Sequence, residues 1–382
     1  MPRQNCNSMA VFAVTVYSVF TTDLTIKGFK SIDHLYIDSL SSINLIAGDN
    51  NVGKSTVLEA LYALATGGEM GALLQMGCNR MNIQNQMGES FVVDKEKLLL
   101  TFFKDWQFKL GKDLIIKAGT DQALQMKLVY VLESKEKAGN AVVNKMEILD
   151  QPLENAQGGD TLERGILFTS NNNTFFSAFS TGSGMGDEFV YPKQVNFIHT
   201  SLSSKSYNLR LWDNIALTGL ERHVIEALRV IDPLVENLAF LEESVLKGGR
   251  GASDRVPYIT LKNRSDRYPL SIMGDGMNRI LSIILGIVNS KGGICLIDEI
   301  ENGIYYRRQP ELWRIICLLV KELDVQLFAT THSLDCIRSF SSVAHEVDAQ
   351  LIRLEKRKSE FAAVNYKSGE LQIALENDIE LR

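Results

Sequence analysis

The chain is 382 residues long, 45% apolar and 23% charged, with a formal net charge of −6, the make-up of an ordinary soluble protein with a large core in one domain plus an appendage, or in two. That charge excludes a chain-wide positive field for nucleic acid or anionic lipid, so any DNA contact needs a local patch. The five cysteines, at positions 6, 78, 295, 317 and 336, are odd in number and lack metal-ligand spacing, which excludes a disulfide framework and fits a reducing cytoplasm.

Near the N-terminus, Met9 to Phe20 reads MAVFAVTVYSVF, apolar like the middle of a signal peptide. Only Arg3 precedes it, no small-residue cleavage site follows, and it is too short to span a bilayer as a helix. Residues 1–22 are therefore expected to be an extension ahead of the fold. From Leu24, LTIKGFKSIDHLYIDSL gives two alternating segments around a polar turn, a strand pair.

Ile43–Ala47 reads as a short buried strand, and Leu58, Leu61, Tyr62 and Ala65 recur at helical spacing beyond Lys54. Between them Gly48, Asp49, Asn50, Asn51, Val52, Gly53, Lys54 and Ser55 fit GxxxxGK[ST]. In that loop backbone amides surround phosphates, the lysine neutralises them and the hydroxyl meets Mg2+. A plain glycine turn between core elements is the alternative, but strand, loop and helix arrive in the order a phosphate site requires. The helix start near Lys54 aims its unpaired amides at the anion, and Gly48 and Gly53 allow close approach.

Gly67 to Glu89 has no stable period and is expected to form loops with short helices. Strands are predicted over Lys97–Phe103, Asp113–Ala118 and Gln125–Glu133. Gly158 to Gly186, rich in Gly, Ser and Asn, reads as an exposed insertion. QVNFIHTS is a strand, and Leu209 to Asn237 carries a helical stripe of Leu220, Val224, Leu228 and Ile231. Met277, Ile280, Leu281, Ile284 and Val288 mark one face of another helix, followed by a core strand over Ile294–Ile297.

That strand runs directly into Asp298 and Glu299, at the C-terminal edge where ligands collect in open α/β sheets. Asp298 is expected to position Mg2+, and Glu299 to orient and deprotonate the attacking water; an acidic helix cap is the alternative. The next apolar strand, VQLFATTHS from Val325, ends in Thr330, Thr331, His332 and Ser333. At such a tip His332 suits a hydrogen bond to a terminal phosphate or to the poised water. His34, His199, His223 and His345 have no comparable setting. Beyond the switch region the sequence offers a hairpin and a closing helix, with no second acidic metal site.

At these residues the chain resembles the ABC-type ATPases of the RecF, SMC and OLD (overcoming lysogenisation defect) group. It is most similar to stand-alone OLD-like, AAA-family ATP-binding proteins without a TOPRIM domain. The resemblance covers the phosphate loop with TIKGFKSI before it and Pro269 to Phe340, with looser similarity at FIHTS and the helices after it. It implies an α/β fold, an ABC-type P-loop NTPase head with N-terminal antiparallel strands, a core parallel sheet and a helical lobe. The expected division is 23–200, containing insertion 158–186, then a helical lobe over 201–268, then 269–382.

By the same resemblance Lys54, Ser55 and Thr56 belong to Walker A, Asp298 and Glu299 to Walker B, and His332 to the switch histidine, with ATP and Mg2+ bound between two facing heads of a homodimer. In LSIMGDGMN either Ser271 or the Gly274 amide takes the place of the signature serine. Gly274 and Gly276 suit an anion nest for a partner's γ-phosphate; a glycine helix cap is the alternative. Asn302 occupies the D-loop, Lys30 resembles a basic residue that approaches phosphates, and Gln75, Gln84 and Gln86 lie where the Q-loop glutamine belongs.

Three functional classes fit: a cytoplasmic ATP-driven switch controlling a separate effector such as a TOPRIM-type nuclease in antiphage defence, a RecF- or SMC-like DNA-repair ATPase, and a nucleotide-binding module with little turnover. Glu299 and His332 argue against the last. No sustained heptads separate Lys54 from Asp298, against an SMC-type coiled-coil arm. DNA binding rests on two acid-interrupted basic clusters, Arg250, Arg255, Lys262, Arg264 and Arg267, then Arg353, Lys356, Arg357 and Lys358. No membrane association is expected.

Overall fold

The computed structural model describes residues 21–80, 94–138, 141–149, 161–171, 173–180, 194–200, 205–242, 255–358 and 360–382. The apolar segment Met9 to Phe20, Gln84, Gln86, Arg250 and parts of the 158–186 insertion lie outside them. In chain order the elements begin with β1 (Leu24–Phe29), β2 (Ile32–Ile37), β3 (Ile43–Ala47), α1 (Lys54–Ala65), α2 (Met70–Arg80), α3 (Lys95–Leu100), β4 (Asp113–Ala118), β5 (Gln122–Ala138), β6 (Ala141–Leu149), β7 (Thr161–Ser170), β8 (Asn173–Ala178) and β9 (Val195–Ile198). There follow α4 (Lys205–Ile215), α5 (Glu221–Ile231), β10 (Val235–Glu242), β11 (Arg255–Leu261), β12 (Arg267–Pro269), α6 (Asp275–Asn289), β13 (Ile294–Ile297), α7 (Gln309–Leu323), β14 (Gln326–Thr330), α8 (Leu334–Ser341), β15 (Ala349–Arg357), β16 (Glu360–Lys367) and α9 (Ser368–Glu376).

The core sheet has the order β16-β15-β3-β14-β13-β9. Its strands are parallel except for the terminal β15–β16 hairpin. Ile46, Ile294, Leu296, Phe328 and Ile352 face α1 and the antiparallel layer, while Leu45, Ala47, Cys295, Ile297 and Leu327 face the cluster containing α6 and α7. Burial on both faces is why these strands read as continuous apolar runs with no alternation. Because β3 and β9 come from the 23–200 segment and β13 to β16 from 269–382, the two segments share one sheet.

A second, antiparallel sheet, β2-β1-β4-β5-β7-β8 with β6 paired to β5, covers α1 from the other side. The strand pair expected from Leu24 is β1–β2, joined at Lys30, which has φ 52°.

Several local expectations change. Lys97–Phe103 is not a strand: Lys95–Leu100 is helical, because the Asp94 carboxylate accepts from the Lys97 amide at 3.1 Å and caps the turn. Within the expected loop insertion, β7 and β8 form a hairpin, with the rings of Phe168 and Phe175 stacked 4.7 Å apart. The helical stripe from Leu209 divides into α4 and α5 where Leu217 and Gly219 take positive φ, and its last residues enter β10. Among its described residues the lobe expected to be helical over 201–268 therefore holds two helices and a three-stranded antiparallel sheet, β10-β11-β12.

Candidate functional site

The parallel strands β3, β14 and β13 lie side by side and end at one edge. Their next residues are the glycine loop, Thr331–His332 and Asp298–Glu299. Sequence segments more than 240 positions apart thereby reach one place.

The loop from Gly48 to Gly53 takes positive φ at Gly48, Asn51 and Gly53 (142°, 64° and 98°), and Asp49, Asn50 and Asn51 are exposed while Val52 is buried. A Cβ at Gly48 would lie 2.5 Å from the Leu354 carbonyl oxygen, so the β15–β16 hairpin fits only against glycine there. Gly53 starts α1 with no side-chain cap, leaving the first turn open toward the loop. The Lys54 ammonium folds back across the loop, donating to the carbonyls of Gly48 at 2.7 Å and Asp49 at 2.9 Å. Burial lowers its pKa, opposed by the nearby charges of Asp298, Glu299, Glu301 and Asp49. Thr56 is buried in the first turn of α1.

Ser55 Oγ donates to Asp298 Oδ1 at 2.9 Å, and Thr330 Oγ1 donates to the same oxygen at 2.6 Å. Thr330 Oγ1 in turn accepts from the Glu299 amide at 2.8 Å. Glu299 has φ 48°, a left-handed conformation sparsely used by non-glycine residues. Its carboxylate is 40% exposed, and its Oε1 lies 4.0 Å from Nδ1 of His332, itself 52% exposed. The hydroxyl of Ser55 and carboxylate of Asp298 are an oxygen-only pair, matching Mg2+, which binds through one or two carboxylates, waters and substrate phosphates. Among the described residues no group of three or more His, Cys, Asp or Glu is placed to hold a metal alone.

Ser271 lies in the single helical turn Leu270–Met273, and Gly274, at φ 93°, begins α6. A Cβ on Gly276 would meet the Gly303 carbonyl oxygen at 2.9 Å. The structure therefore gathers Gly48 to Thr56, Asp298, Glu299 and His332 at one edge, and sets the turn carrying Ser271, Gly274 and Gly276 against the segment after Glu299. Asn302 is exposed on that segment. Lys30 forms a buried ion pair with Glu59 at 2.7 Å. Gln75 lines a cavity with Tyr62, Asn196, Phe197 and His199.

Three contributors were not assigned a role from the sequence. Thr330 bridges Asp298 and Glu299. Arg279, on α6 and 4% exposed, donates to the carbonyls of His199 and Asp298 at 3.0 and 2.8 Å, and to that of Glu299 at 3.3 Å. Glu301 accepts from Thr331 and His332. A threonine pair closing a buried strand was a signal for the first; the other two depend on contacts between distant segments. In the basic clusters, Arg255 pairs with Asp213, Arg353 and Arg357 with Glu355, and Arg264 lies over the Tyr268 ring. No helix among the described residues is long and apolar enough to cross a membrane.

A family model described as "AAA ATPase domain" matches residues 22–157 and 81–337, more than half of the chain. An "ATP/GTP phosphatase" of Helicobacter pylori is 22% identical over 345 residues, covering 85% of this chain and 88% of that protein. Among solved structures, an SMC head bound to the C-terminal winged-helix domain of ScpA aligns with a TM-score of 0.51 at 12% identity, covering 94% of this chain and 99% of that one. An SMC head domain from Thermotoga maritima aligns with a TM-score of 0.43 at 13% identity, over 90% of this chain and 98% of that one. The chain belongs to the AAA ATPase domain family, which makes it a nucleotide-hydrolysing protein, and it has the ABC-type fold of an SMC head.

Proposed function

We propose that the chain hydrolyses ATP at the edge formed by β3, β14 and β13 and uses the cycle as a dimeric switch. The observation that carries this reading is the 2.9 Å hydrogen bond between Ser55 and Asp298, which joins the phosphate loop to the acidic strand end. Backbone amides from Gly48 to Thr56 hold the phosphates, and the Lys54 ammonium exchanges two loop carbonyls for phosphate oxygens. Ser55 and Asp298 would hold Mg2+, which when bound would neutralise charge developing on the phosphates. Glu299 takes the proton of the attacking water, and His332 hydrogen-bonds the water or the terminal phosphate.

In this proposal Ser271, Gly274 and Gly276 cover the nucleotide of a second copy, closing a head-to-head homodimer. Supporting this, Ile272 and Tyr305 are 68% and 59% exposed on the two turns joined by the close approach of Gly276 to Gly303. Covering these two side chains in the closed dimer would remove apolar area from water. ATP is proposed over GTP by resemblance to the OLD-like ATPases. The same resemblance supports control of a separate effector, such as a TOPRIM-type nuclease in antiphage defence. We prefer this to a DNA-maintenance role because Arg255, Arg353 and Arg357 already face carboxylates.

The test compares wild type, Lys54→Ala and Glu299→Gln with ATP and Mg2+, reading phosphate release and mass by light scattering. Lys54→Ala should neither bind nor hydrolyse. Glu299→Gln should bind normally, lose about 10²–10⁴-fold in hydrolysis and accumulate as a dimer. Normal hydrolysis by Glu299→Gln refutes its assignment as base, and a monomer with bound ATP refutes the sandwich. Co-purification without an effector, together with unchanged phage sensitivity on deletion, refutes the defence role.

A further inference from the structure

Glu301 sits three residues beyond Asp298, its side chain only 8% exposed. One carboxylate oxygen, Oε1, accepts from Thr331 Oγ1 at 2.8 Å and from the His332 amide at 3.0 Å, and lies 3.4 Å from Nδ1 of the His332 ring. The other oxygen, Oε2, is buried without a hydrogen-bond partner among the described residues. A buried carboxylate with an unsatisfied oxygen is costly, and fastening one hydroxyl and one amide requires no charge. What the carboxylate adds is a strong acceptor beside the imidazole.

We propose that Glu301 is a positioning residue that sets the orientation and tautomer of His332, an inference that rests on the hydrolytic reading of this edge. In it Oε1, 3.4 Å from Nδ1, accepts from the Nδ1–H of the neutral ring, the proton stays on Nδ1, and Nε2 is left as the unprotonated nitrogen presented outward. The tautomer of a neutral imidazole is fixed by what its other nitrogen meets. Two bonds to the main chain and side chain of 331–332 fix the Oε1 atom, so the ring is held by an acceptor that is itself held. Glu301 also begins the turn whose Gly303 carbonyl touches α6. The segment bearing Asn302 is thereby tied to His332, and movement of that turn moves the ring.

The test uses the full chain as wild type, Lys54→Ala, Glu301→Ala, Glu301→Gln, His332→Ala and Glu301→Ala/His332→Ala. Steady-state hydrolysis is measured together with long-range ¹H–¹⁵N spectra of ¹⁵N-histidine protein at about pH 8.5, above the ordinary imidazole range. His332 is assigned by its loss in His332→Ala. Wild type and Glu301→Gln should show the proton of His332 on Nδ1, and Glu301→Ala should move it to Nε2. Glu301→Ala should lower kcat by about 10–100-fold, the size of effect seen for residues that orient a functional histidine, with KM within about twofold. The double variant should be no slower than His332→Ala alone. An unchanged tautomer in Glu301→Ala overturns the proposal, as does a rate loss that simply multiplies in the double variant. A wild type without turnover, or an active Lys54→Ala, counts against the hydrolytic reading instead, and the tautomer still decides the role of Glu301.

Discussion

The Arg279 guanidinium, rooted in α6, donates through one nitrogen to the carbonyls of both Asp298 and Glu299. It thereby clamps the main chain where Glu299 leaves the strand with positive φ. The fork is almost fully buried, its Nε has no partner among the described residues, and burial lowers its pKa against the pull of Asp298, Glu299 and Glu301. Lysine keeps the charge but loses the planar fork. Arg279→Lys should therefore destabilise the protein by about 2–4 kcal/mol in urea unfolding and lower kcat more than it raises KM. Unchanged unfolding midpoint and turnover would show that the clamp is dispensable.

Ser55 and Asp298 supply a second test, because they share one oxygen-to-oxygen contact that the proposed Mg2+ would have to enter. Ser55→Ala removes a donor to the ion, whereas Asp298→Asn retains shape and loses charge. Both should raise the Mg2+ concentration for half-maximal hydrolysis by at least the about 10–100-fold that outer-shell changes produce. Asp298→Asn should also weaken the restraint on Thr330. A Mg2+ titration identical to wild type for either variant would remove that residue from the metal set.

The site was legible in the sequence where chemistry is local. GDNNVGKS is contiguous, its flanks have clear periodicity, and the acidic pair directly follows a four-residue apolar strand. The C-terminal hairpin and helix were likewise visible as β15, β16 and α9. Less visible were elements whose pattern is set by what covers them. Leu98, Leu99 and Leu100 are buried in succession in a short helix, and a run of leucines has no period that separates helix from strand. In β7, Gly165 is required because a Cβ would lie 2.2 Å from the Ser177 carbonyl oxygen, so a residue that reads as loop marks a tight strand pair. Arg279 and Glu301 were hidden for another reason: their partners are backbone and side-chain groups brought together by the sheet order.

Burial makes the cysteines a probe of the core. The thiols of Cys295, Cys317 and Cys336 are pushed up to about 12 from an ordinary 9.0, mainly by desolvation. Between these values the unfolded chain releases protons that the native state retains, so stability is full below about pH 9 and falls as pH rises toward 12. Each thiol contributes up to about 1.4 kcal/mol per pH unit to that fall. Urea unfolding midpoints should decline above pH 9, and less steeply in the Cys295→Ala/Cys317→Ala/Cys336→Ala variant. With Cys6 and Cys78 replaced, a disulfide reagent at pH 8 should label none of the three until the protein unfolds. Rapid native labelling would contradict the burial.

Gly276 tests whether the contact between the two turns matters to turnover. Alanine is the better helix former by about 1 kcal/mol, yet its Cβ would lie 2.9 Å from the Gly303 carbonyl oxygen, a main-chain atom that must shift. These effects oppose each other in stability, so Gly276→Ala should melt within a few degrees of wild type. They do not oppose each other in the site, because displacing Gly303 disturbs the turn that carries Glu301 and Asn302. Hydrolysis should fall by about tenfold, equivalent to about 1.4 kcal/mol at the transition state. Gly274→Ala separates contact from conformation: a Cβ there meets open space, but φ is 93°, so its effect arises from backbone strain and should appear in the melting temperature. If Gly276→Ala hydrolyses ATP at the wild-type rate, the junction of α6 with the 300–304 turn is packing alone, and the proposed route from the start of α6 to His332 through Glu301 loses its first step.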